Sequence, residues 1–353
     1  VAAGYHDSDI AEIVRRLGAR AHDFAGKHVL LTGAVGFLGR YFTAVFHELN
    51  RSVLDAKMRV TALDSLITGT EPDGSGPNDP GIRFAVADVT KPITVEGSVD
   101  YIVHAAGIAS PFHYRRYPLE TLSVAIDGTR NLLELARTKR SRFAFFSSSE
   151  IYGDPDPAHV PTMESYRGYV SSMGPRACYD ESKRVGETLC HIYHDSFDVE
   201  TACIRPFNVF GPGMREADYR VLPNFASCIK AGRPLRIYGT GRQTRTYCYI
   251  TDAMTGFLLA ILKGLPGQPY NIGCAAPEIS VHQLVDAIER ALGRKLERQV
   301  IEHPDSYPAD EPQRRCPDLR KAATHLDYRP ERTLEEGLKR FFDWTQRHYT
   351  GNP

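Results

Sequence analysis

The stretch His28-Val-Leu-Leu-Thr-Gly-Ala-Val-Gly-Phe-Leu-Gly39 decides how the rest of the chain is read. A short apolar run ends at Gly33, is followed by Gly36 and Gly39, and passes into a helical pattern over residues 37–49. Three glycines alone are weak evidence. A strand that turns through them into a helix is the setting in which a dinucleotide's pyrophosphate is bound. Gly33 suits the tight turn, Gly36 lets the backbone approach the pyrophosphate, and Gly39 allows the helix to pack closely on the strand. Phe37 and Leu38 open the helix, whose N-terminus faces the phosphate charge.

Outward from this turn, short apolar runs alternate with helical patterns. Strands are expected at His28–Thr32, Arg59–Asp64, Ile82–Ala87, Tyr101–His104, Phe143–Ser147 and Thr201–Arg205, with helices near 37–49, 118–138 and 175–195. This alternation predicts an α/β fold, a Rossmann-type doubly wound parallel sheet covered on both faces. After about residue 206 the chain changes to longer loops, short strands and helices at 221–231, 252–263, 280–292 and 333–347, read as a smaller C-terminal α/β substrate domain. The expected division is a helical extension over 1–26, a dinucleotide domain over 27–205 and a substrate domain over 206–353. Part of 240–265 is expected to return to the dinucleotide domain. In the extension, Ile10, Ile13, Val14 and Leu17 share a helical face, and Asp9 and Glu12 read as a variant capping box. The segment 68–81, rich in Gly, Pro and Asp, reads as a flexible surface loop.

Asp64 ends the second strand, where a carboxylate accepts from the adenosine ribose hydroxyls and repels a 2′-phosphate, so NAD is expected rather than NADP. Residues 50–58 lengthen the connection from the glycine turn. Asp88 and Val89 follow the third strand and are placed against the adenine, and Ala105 and Ala106 follow the fourth and are small enough for a cofactor to pass.

Tyr179 and Lys183 lie four residues apart, on one face of a helix. About thirty residues upstream a strand ends in Ser147-Ser148-Ser149. A free tyrosine is a poor base at neutral pH, and half-ionisation there takes roughly 4 kcal/mol of help from nearby cations. Lys183 and an oxidised nicotinamide are the expected cations, and Ser148 would hold the hydroxyl from which Tyr179 removes a proton.

The Gly-x-x-Gly-x-x-Gly spacing, with SSSEIYGDP (147–155), CYDESKRVGETLC (178–190), RPFNVFGPG (205–213) and GRQTRTYCYITD (241–252), resembles the extended short-chain dehydrogenases/reductases. HAAGIASPFHY (104–114), RVLPNF (220–225) and DEPQRRCPD (310–318) extend the resemblance to the UDP-glucuronate decarboxylases, also called UDP-xylose synthases, over roughly residues 27–347. It implies a nucleotide-diphosphate sugar as substrate and a redox-neutral reaction. Tyr179 deprotonates the sugar 4-hydroxyl as NAD accepts the C4 hydride, carbon dioxide leaves from C6, C5 is protonated, and the hydride returns to give the pentose. The resemblance places Pro206 at the cofactor and Glu150 near C5, and it implies that Asn208, Arg220, Asn224 and Arg315 hold the diphosphate or base. Arg245 reads either as an active-site arginine or as a diphosphate clamp. Related 4,6-dehydratases carry Asp at the position of Ser149, so serine there disfavours dehydration and leaves a 4-epimerase as the competing reaction. A non-enzymatic NAD-sensing relative is disfavoured because Ser148, Tyr179 and Lys183 all remain. Gly107, Ser148 and Tyr219 depart from the pattern, and Tyr219 bears on base preference. The helices near 118–138 and 175–195 are expected to pair with their copies in a four-helix homodimer interface.

Composition narrows the alternatives. The chain has 353 residues, 42% hydrophobic and 24% charged, with a formal net charge of zero and no basic block, so nucleic acid is not an expected partner. No apolar run approaches the length that crosses a bilayer, and no membrane partner is expected. Seven cysteines without CxxC spacing read as reduced thiols of a cytoplasmic protein. His191 and His194 share a spacing used by zinc ligands but lack further ligands, so no metal is expected. Cys178 reads as a packed thiol.

Overall fold

The computed structural model describes residues 6–69, 79–218, 220–302 and 311–352. In chain order the first elements are α1 (Asp7–Leu17), β1 (His28–Thr32), α2 (Phe37–Ser52), β2 (Arg59–Asp64), β3 (Ile82–Val86), β4 (Tyr101–His104), α3 (Pro111–Arg116), α4 (Pro118–Ser123), α5 (Thr129–Lys139), β5 (Arg142–Phe146), α6 (Ala177–Phe197) and β6 (Thr201–Pro206). They are followed by β7 (Val209–Phe210), α7 (Val221–Lys230), β8 (Leu235–Tyr238), β9 (Thr244–Arg245), β10 (Cys248–Tyr249), α8 (Ile250–Lys263), β11 (Gln268–Ile272), β12 (Ile279–Ser280), α9 (Val281–Leu292), β13 (Arg298–Ile301), β14 (Arg314–Arg315), α10 (Arg320–Leu326) and α11 (Leu334–His348). Most of the loop expected at 68–81, and Tyr219, lie outside the described residues.

Seven strands form one parallel sheet in the order β11-β6-β5-β4-β1-β2-β3. The order reverses direction between β1 and β4, the switch point at which open α/β sheets bind ligands beyond the strand C-termini. Every residue of β1 is buried, as a central parallel strand requires. At the edge, β3 is exposed over Arg83–Val86. The seventh strand, β11, lies beyond the expected domain boundary at 206. Its sequence Gln-Pro-Tyr-Asn-Ile is no apolar run, yet it pairs with β6, and α8 packs against β5, β6 and β11. The sheet layer therefore reclaims residues 250–272. The long connection before β2 is held by Asn50, whose amide donates to Met58 O at 3.0 Å and accepts from Met58 N at 2.9 Å.

The helix at 118–138 is continuous but changes winding. Residues Val124–Gly128 form a π-helical turn between α4 and α5. A methyl group on Gly128 would come within 2.7 Å of Val89, so close packing beside the third strand's end fixes this turn.

The N-terminal helix α1 packs on α2 and α8. Asp9 and Glu12 do not form a capping box: the helix starts after His6, without a side-chain cap. Both carboxylates are buried and serve the tertiary structure instead. Asp9 accepts from Tyr249 OH at 2.7 Å and Arg340 at 2.5 Å, and Glu12 takes Arg332 through both oxygens at 3.0 and 2.5 Å. Arg16 donates to the fully buried Asp252 at 2.5 Å, and Asp252 also accepts from Glu331 N at 2.8 Å and Arg332 N at 3.0 Å. Removing one partner of such a pair leaves a buried charge uncompensated. Asp252→Ala is expected to lower stability by about 3 kcal/mol in urea denaturation, because it removes the shortest ion pair of Arg16 and leaves the Glu331 and Arg332 N–H groups without their acceptor. A loss under about 1 kcal/mol would show that water reaches this network.

Candidate active site

The glycine turn is built as its spacing predicts. Gly33 has φ +75°, and a methyl group there would lie 2.8 Å from the Ala105 carbonyl, so only glycine lets the turn pass β4's end. A methyl on Gly39 would lie 2.1 Å from Gly33 O, which fixes α2 on the turn. Gly36 instead is exposed and meets only Gly33 O within 4 Å, leaving its face open to a ligand. Phe37 and Leu38 open α2, so their backbone N–H groups have no acceptor within the helix. Asp64 accepts from Val35 N at 3.0 Å and Leu66 N at 2.9 Å, so it braces the turn and keeps lone pairs for a ribose. Ala106 N donates to Thr32 Oγ1 at 3.3 Å. Asp88 is exposed and accepts from Thr90 N at 2.9 Å, Val89 is buried, and Pro206 ends β6 in the same sheet layer. This cradle fits a dinucleotide diphosphate.

Helix α6 brings the second set of groups to the same sheet edge. A methyl on Gly186 would lie 2.1 Å from Phe145, so the helix sits directly on β5 and carries Tyr179 and Lys183 over that strand's end. Lys183 donates to Phe146 O at 2.9 Å and lies 5.7 Å from the centre of the Tyr179 ring. A methyl on Gly107 would come within 3.0 Å of the Lys183 ammonium, so this glycine makes room for it. Ser148 Oγ accepts from Glu150 N at 3.2 Å, and its hydroxyl is near enough to the Tyr179 phenol to favour the phenolate. Ser149 is buried. Tyr114 stacks on Tyr179, with ring centres 5.2 Å apart and planes at 13°.

Burial pushes the Tyr179 phenol up to about 12, against the hydrogen bond with Ser148, and lowers the Lys183 ammonium to about 8. Lys183 alone therefore does not bring the phenol toward neutrality, and the expected second cation, the oxidised nicotinamide, is needed beside it. In this dry site both side chains are driven toward their uncharged forms.

A cleft of about 640 Å³ opens at Tyr179 and is lined by Glu150, Asn208, Arg220, Asn224, Arg245 and Arg315. Its size suits a nucleotide-sized ligand. The arrangement of charges differs from the sequence reading. Arg315 is committed to Glu150 through both nitrogens, one at 2.7 Å, so it is not a free diphosphate ligand. Arg176, not singled out from sequence, pairs with the same carboxylate. Burial would raise the Glu150 carboxyl, but Arg176, Arg315 and Arg245 outweigh it and hold the group ionised below the ordinary glutamate range. Glu150 is thus a fixed anion, unsuited to donate a proton. Asp180, 3.6 Å from Arg176, is pushed up by burial and by the Glu150 charge.

Arg245 donates to Thr244 O at 2.8 Å and Pro312 O at 2.6 Å and pairs with Glu311 at 3.2 Å. Arg220 is paired with Asp218 and remains partly open to the cleft. Asn208 has φ +42° and donates to Thr246 O at 2.9 Å, while Asn224 accepts a long contact from Cys228. Cys178 contacts Tyr114 O at 3.6 Å, and burial raises its thiol. His194 contacts Val199 O at 3.1 Å through a ring nitrogen. Among the described residues no group of three or more His, Cys, Asp and Glu is placed to hold a metal ion, and no helix is long and apolar enough to cross a membrane.

Residues 29–273 match the model of the NAD dependent epimerase/dehydratase family. The chain is 38% identical to UDP-glucuronic acid decarboxylase 1 of Xenopus tropicalis over 315 residues, 89% of this chain and 71% of that protein. It is 35% identical to UDP-glucuronic acid decarboxylase 3 of Arabidopsis thaliana over 311 residues, 88% of this chain and 86% of that protein. Among solved structures, a tyrosine-to-phenylalanine mutant of UDP-glucuronic acid 4-epimerase from Bacillus cereus, in complex with NAD and a fluorinated UDP-glucuronic acid, superposes with TM-score 0.74 at 25% identity, covering 91% of this chain and all of that one. The dTDP-glucose 4,6-dehydratase DesIV of Streptomyces venezuelae shares the fold, with TM-score 0.76 at 23% identity, covering 91% of this chain and 97% of that one. The family model spans most of the chain and these decarboxylases are more than a third identical to it, so the chain belongs to the NAD dependent epimerase/dehydratase family and NAD is its cofactor.

Proposed function

We propose that this enzyme decarboxylates UDP-glucuronate to UDP-xylose through a 4-keto sugar. One observation supports the reading beyond the names of its relatives: beside Tyr179 the cleft wall sets three guanidinium groups, Arg176, Arg315 and Arg245, against the two carboxylates they pair with, Glu150 and Glu311, so the wall can accept one further carboxylate, that of a sugar acid. The bound nicotinamide supplies a hydride acceptor and donor.

The remaining steps are performed by side chains. Ser148 orients the sugar 4-hydroxyl and Tyr179 removes its proton. Lys183 holds a positive charge behind the tyrosine. With C4 oxidised, the C6 carboxylate is β to a carbonyl, and loss of carbon dioxide leaves an enolate rather than a bare carbanion. Protonation at C5 and reduction at C4 complete the pentose. Glu150 supports this reaction as the anion that keeps Arg176 and Arg315 in place. Arg220, Asn208 and Asn224 stand where the cleft would receive the diphosphate and base.

The alternative is 4-epimerisation of the same uronate, favoured by the likeness to a UDP-glucuronic acid 4-epimerase. Ser149 supplies no acid to expel a C6 hydroxyl, which weighs against dehydration. Incubation with UDP-glucuronate is expected to release one carbon dioxide per UDP-xylose formed. UDP-galacturonate without carbon dioxide would establish the epimerase instead. We also infer a homodimer: Leu119, Ile126 and Ile192 are exposed on the α4–α5 and α6 surfaces that would pair, and sedimentation at the monomer mass would refute it.

A further inference from the structure

Two arginines beside the glycine turn have no acidic partner among the described residues. Arg40 lies in the first turn of α2, its N–H donating to Gly36 O at 3.1 Å. Its guanidinium reaches the Gly213 carbonyl on the opposite lobe, and its Nε is buried without a hydrogen-bond partner. Arg215 crosses the other way and donates to the Thr68 carbonyl, in the strap that follows Asp64. A methyl placed on Gly69 would lie 3.5 Å from Arg215 Nη2 and 2.9 Å from Val35 Cγ2, so this guanidinium stands next to the glycine turn itself. Tyr41 OH donates to Pro212 O at 3.1 Å and anchors the same loop. Burial and the charge of Arg215 both oppose ionisation of Arg40.

This is an unfavourable arrangement for the protein alone. A guanidinium at a helix N-terminus opposes the helix dipole, and one held only by a carbonyl, with its Nε buried and no counter-charge, is costly. Both penalties reverse if an anion occupies the turn. Neither arginine lines the 640 Å³ cleft, so the anion they face is on the cofactor side.

We propose that Arg40 and Arg215 clamp the cofactor's diphosphate from the two lobes, so that bound NAD ties α2 to the 211–215 loop. Backbone N–H groups of the turn supply neutral donors, and these two side chains add the charge that retains the dinucleotide through turnover. Because the sugar nucleotide also carries a diphosphate, the test separates the two sources.

Arg40→Met, Arg215→Met and the double variant are compared with wild type by calorimetric titration with NAD and with UDP, after NAD is stripped and quantified. Each single variant is expected to bind NAD at least roughly fivefold more weakly, with the double variant weaker still. UDP affinity stays within about twofold, and the salt dependence of NAD affinity becomes shallower in the double variant. Unliganded Arg40→Met keeps or raises its urea midpoint, because it loses an uncompensated cation. If NAD affinity falls less than roughly fivefold in the double variant, or UDP weakens as much as NAD, the clamp is refuted. Should Arg40→Met fail to fold, Arg215→Met alone decides by the same threshold. A decarboxylase with unaltered NAD binding in these variants would leave the proposed reaction standing and remove only the clamp.

Discussion

Tyr179→Phe is expected to lower turnover of UDP-glucuronate by roughly 10²–10⁴-fold, the range for removing a positioned proton-transfer group. The substitution deletes one oxygen and little else. The ring remains stacked on Tyr114, with centres 5.2 Å apart in the parent structure, and Lys183 keeps its bond to Phe146 O. Ser148 still accepts from Glu150 N at 3.2 Å. The stability change is therefore about 1 kcal/mol, that of a single hydrogen bond. NAD content and UDP affinity are expected to match wild type, which separates a chemical defect from a binding defect. Product formation is read as carbon dioxide and as UDP-xylose by mass spectrometry, with NADH absorbance reporting the first half of the reaction. Neither product nor a rise in NADH should be detectable in the variant within the wild-type assay time. Retention of more than about a tenth of wild-type turnover would mean that another group takes the proton.

That prediction rests on a part of the molecule that the sequence displays openly. Gly33, Gly36 and Gly39 constrain backbone positions that no other residue can fill as closely, and such constraints are local. The four-residue step from Tyr179 to Lys183 is likewise written in helical periodicity. The electrostatics are less legible because the partners are distant in sequence. Glu150 and Arg315 are 165 positions apart, and the chain gives no local sign that they meet. Arg176 is hidden for the same reason: its role depends on which carboxylate the fold brings to it. Strand β11 is concealed because Gln268 and Pro269 break the apolar pattern, although pairing with β6 supplies the hydrogen bonds that make it a strand. Desolvation is the most important quantity left out. Sequence places Lys183 and the nicotinamide charge beside Tyr179 but does not show the burial that raises the phenol and that those two cations must overcome.

Glu150→Gln is the second large effect expected, and it acts on stability as well as activity. The carboxylate sits between Arg176 and Arg315, whose side chains are only 10% and 6% exposed. Glutamine preserves the shape but removes the counter-charge, leaving two buried guanidinium groups facing each other. Breaking a buried ion pair from one side typically costs about 3–5 kcal/mol. Asp180 tempers the loss at neutral pH. Its carboxyl is raised by burial and by the charge of Glu150, so removing that charge lets it ionise and pair with Arg176, 3.6 Å away. In wild type, an acid whose folded pKa is raised destabilises the protein as pH climbs above its unfolded value, and the variant escapes this penalty. The relief fades as pH falls toward the unfolded aspartate value near 3.9, where the carboxyl is protonated in the unfolded chain as well. The deficit in urea denaturation should therefore be greater at pH 5 than at pH 7. Glu150 itself has a depressed folded pKa, so its contribution is complete above the unfolded glutamate value near 4.3 and disappears only as pH falls below it. The gap between the two proteins consequently narrows again below about pH 4. A deficit smaller than about 1 kcal/mol at both pH 5 and pH 7 would show that the two arginines do not depend on Glu150 for their charge balance.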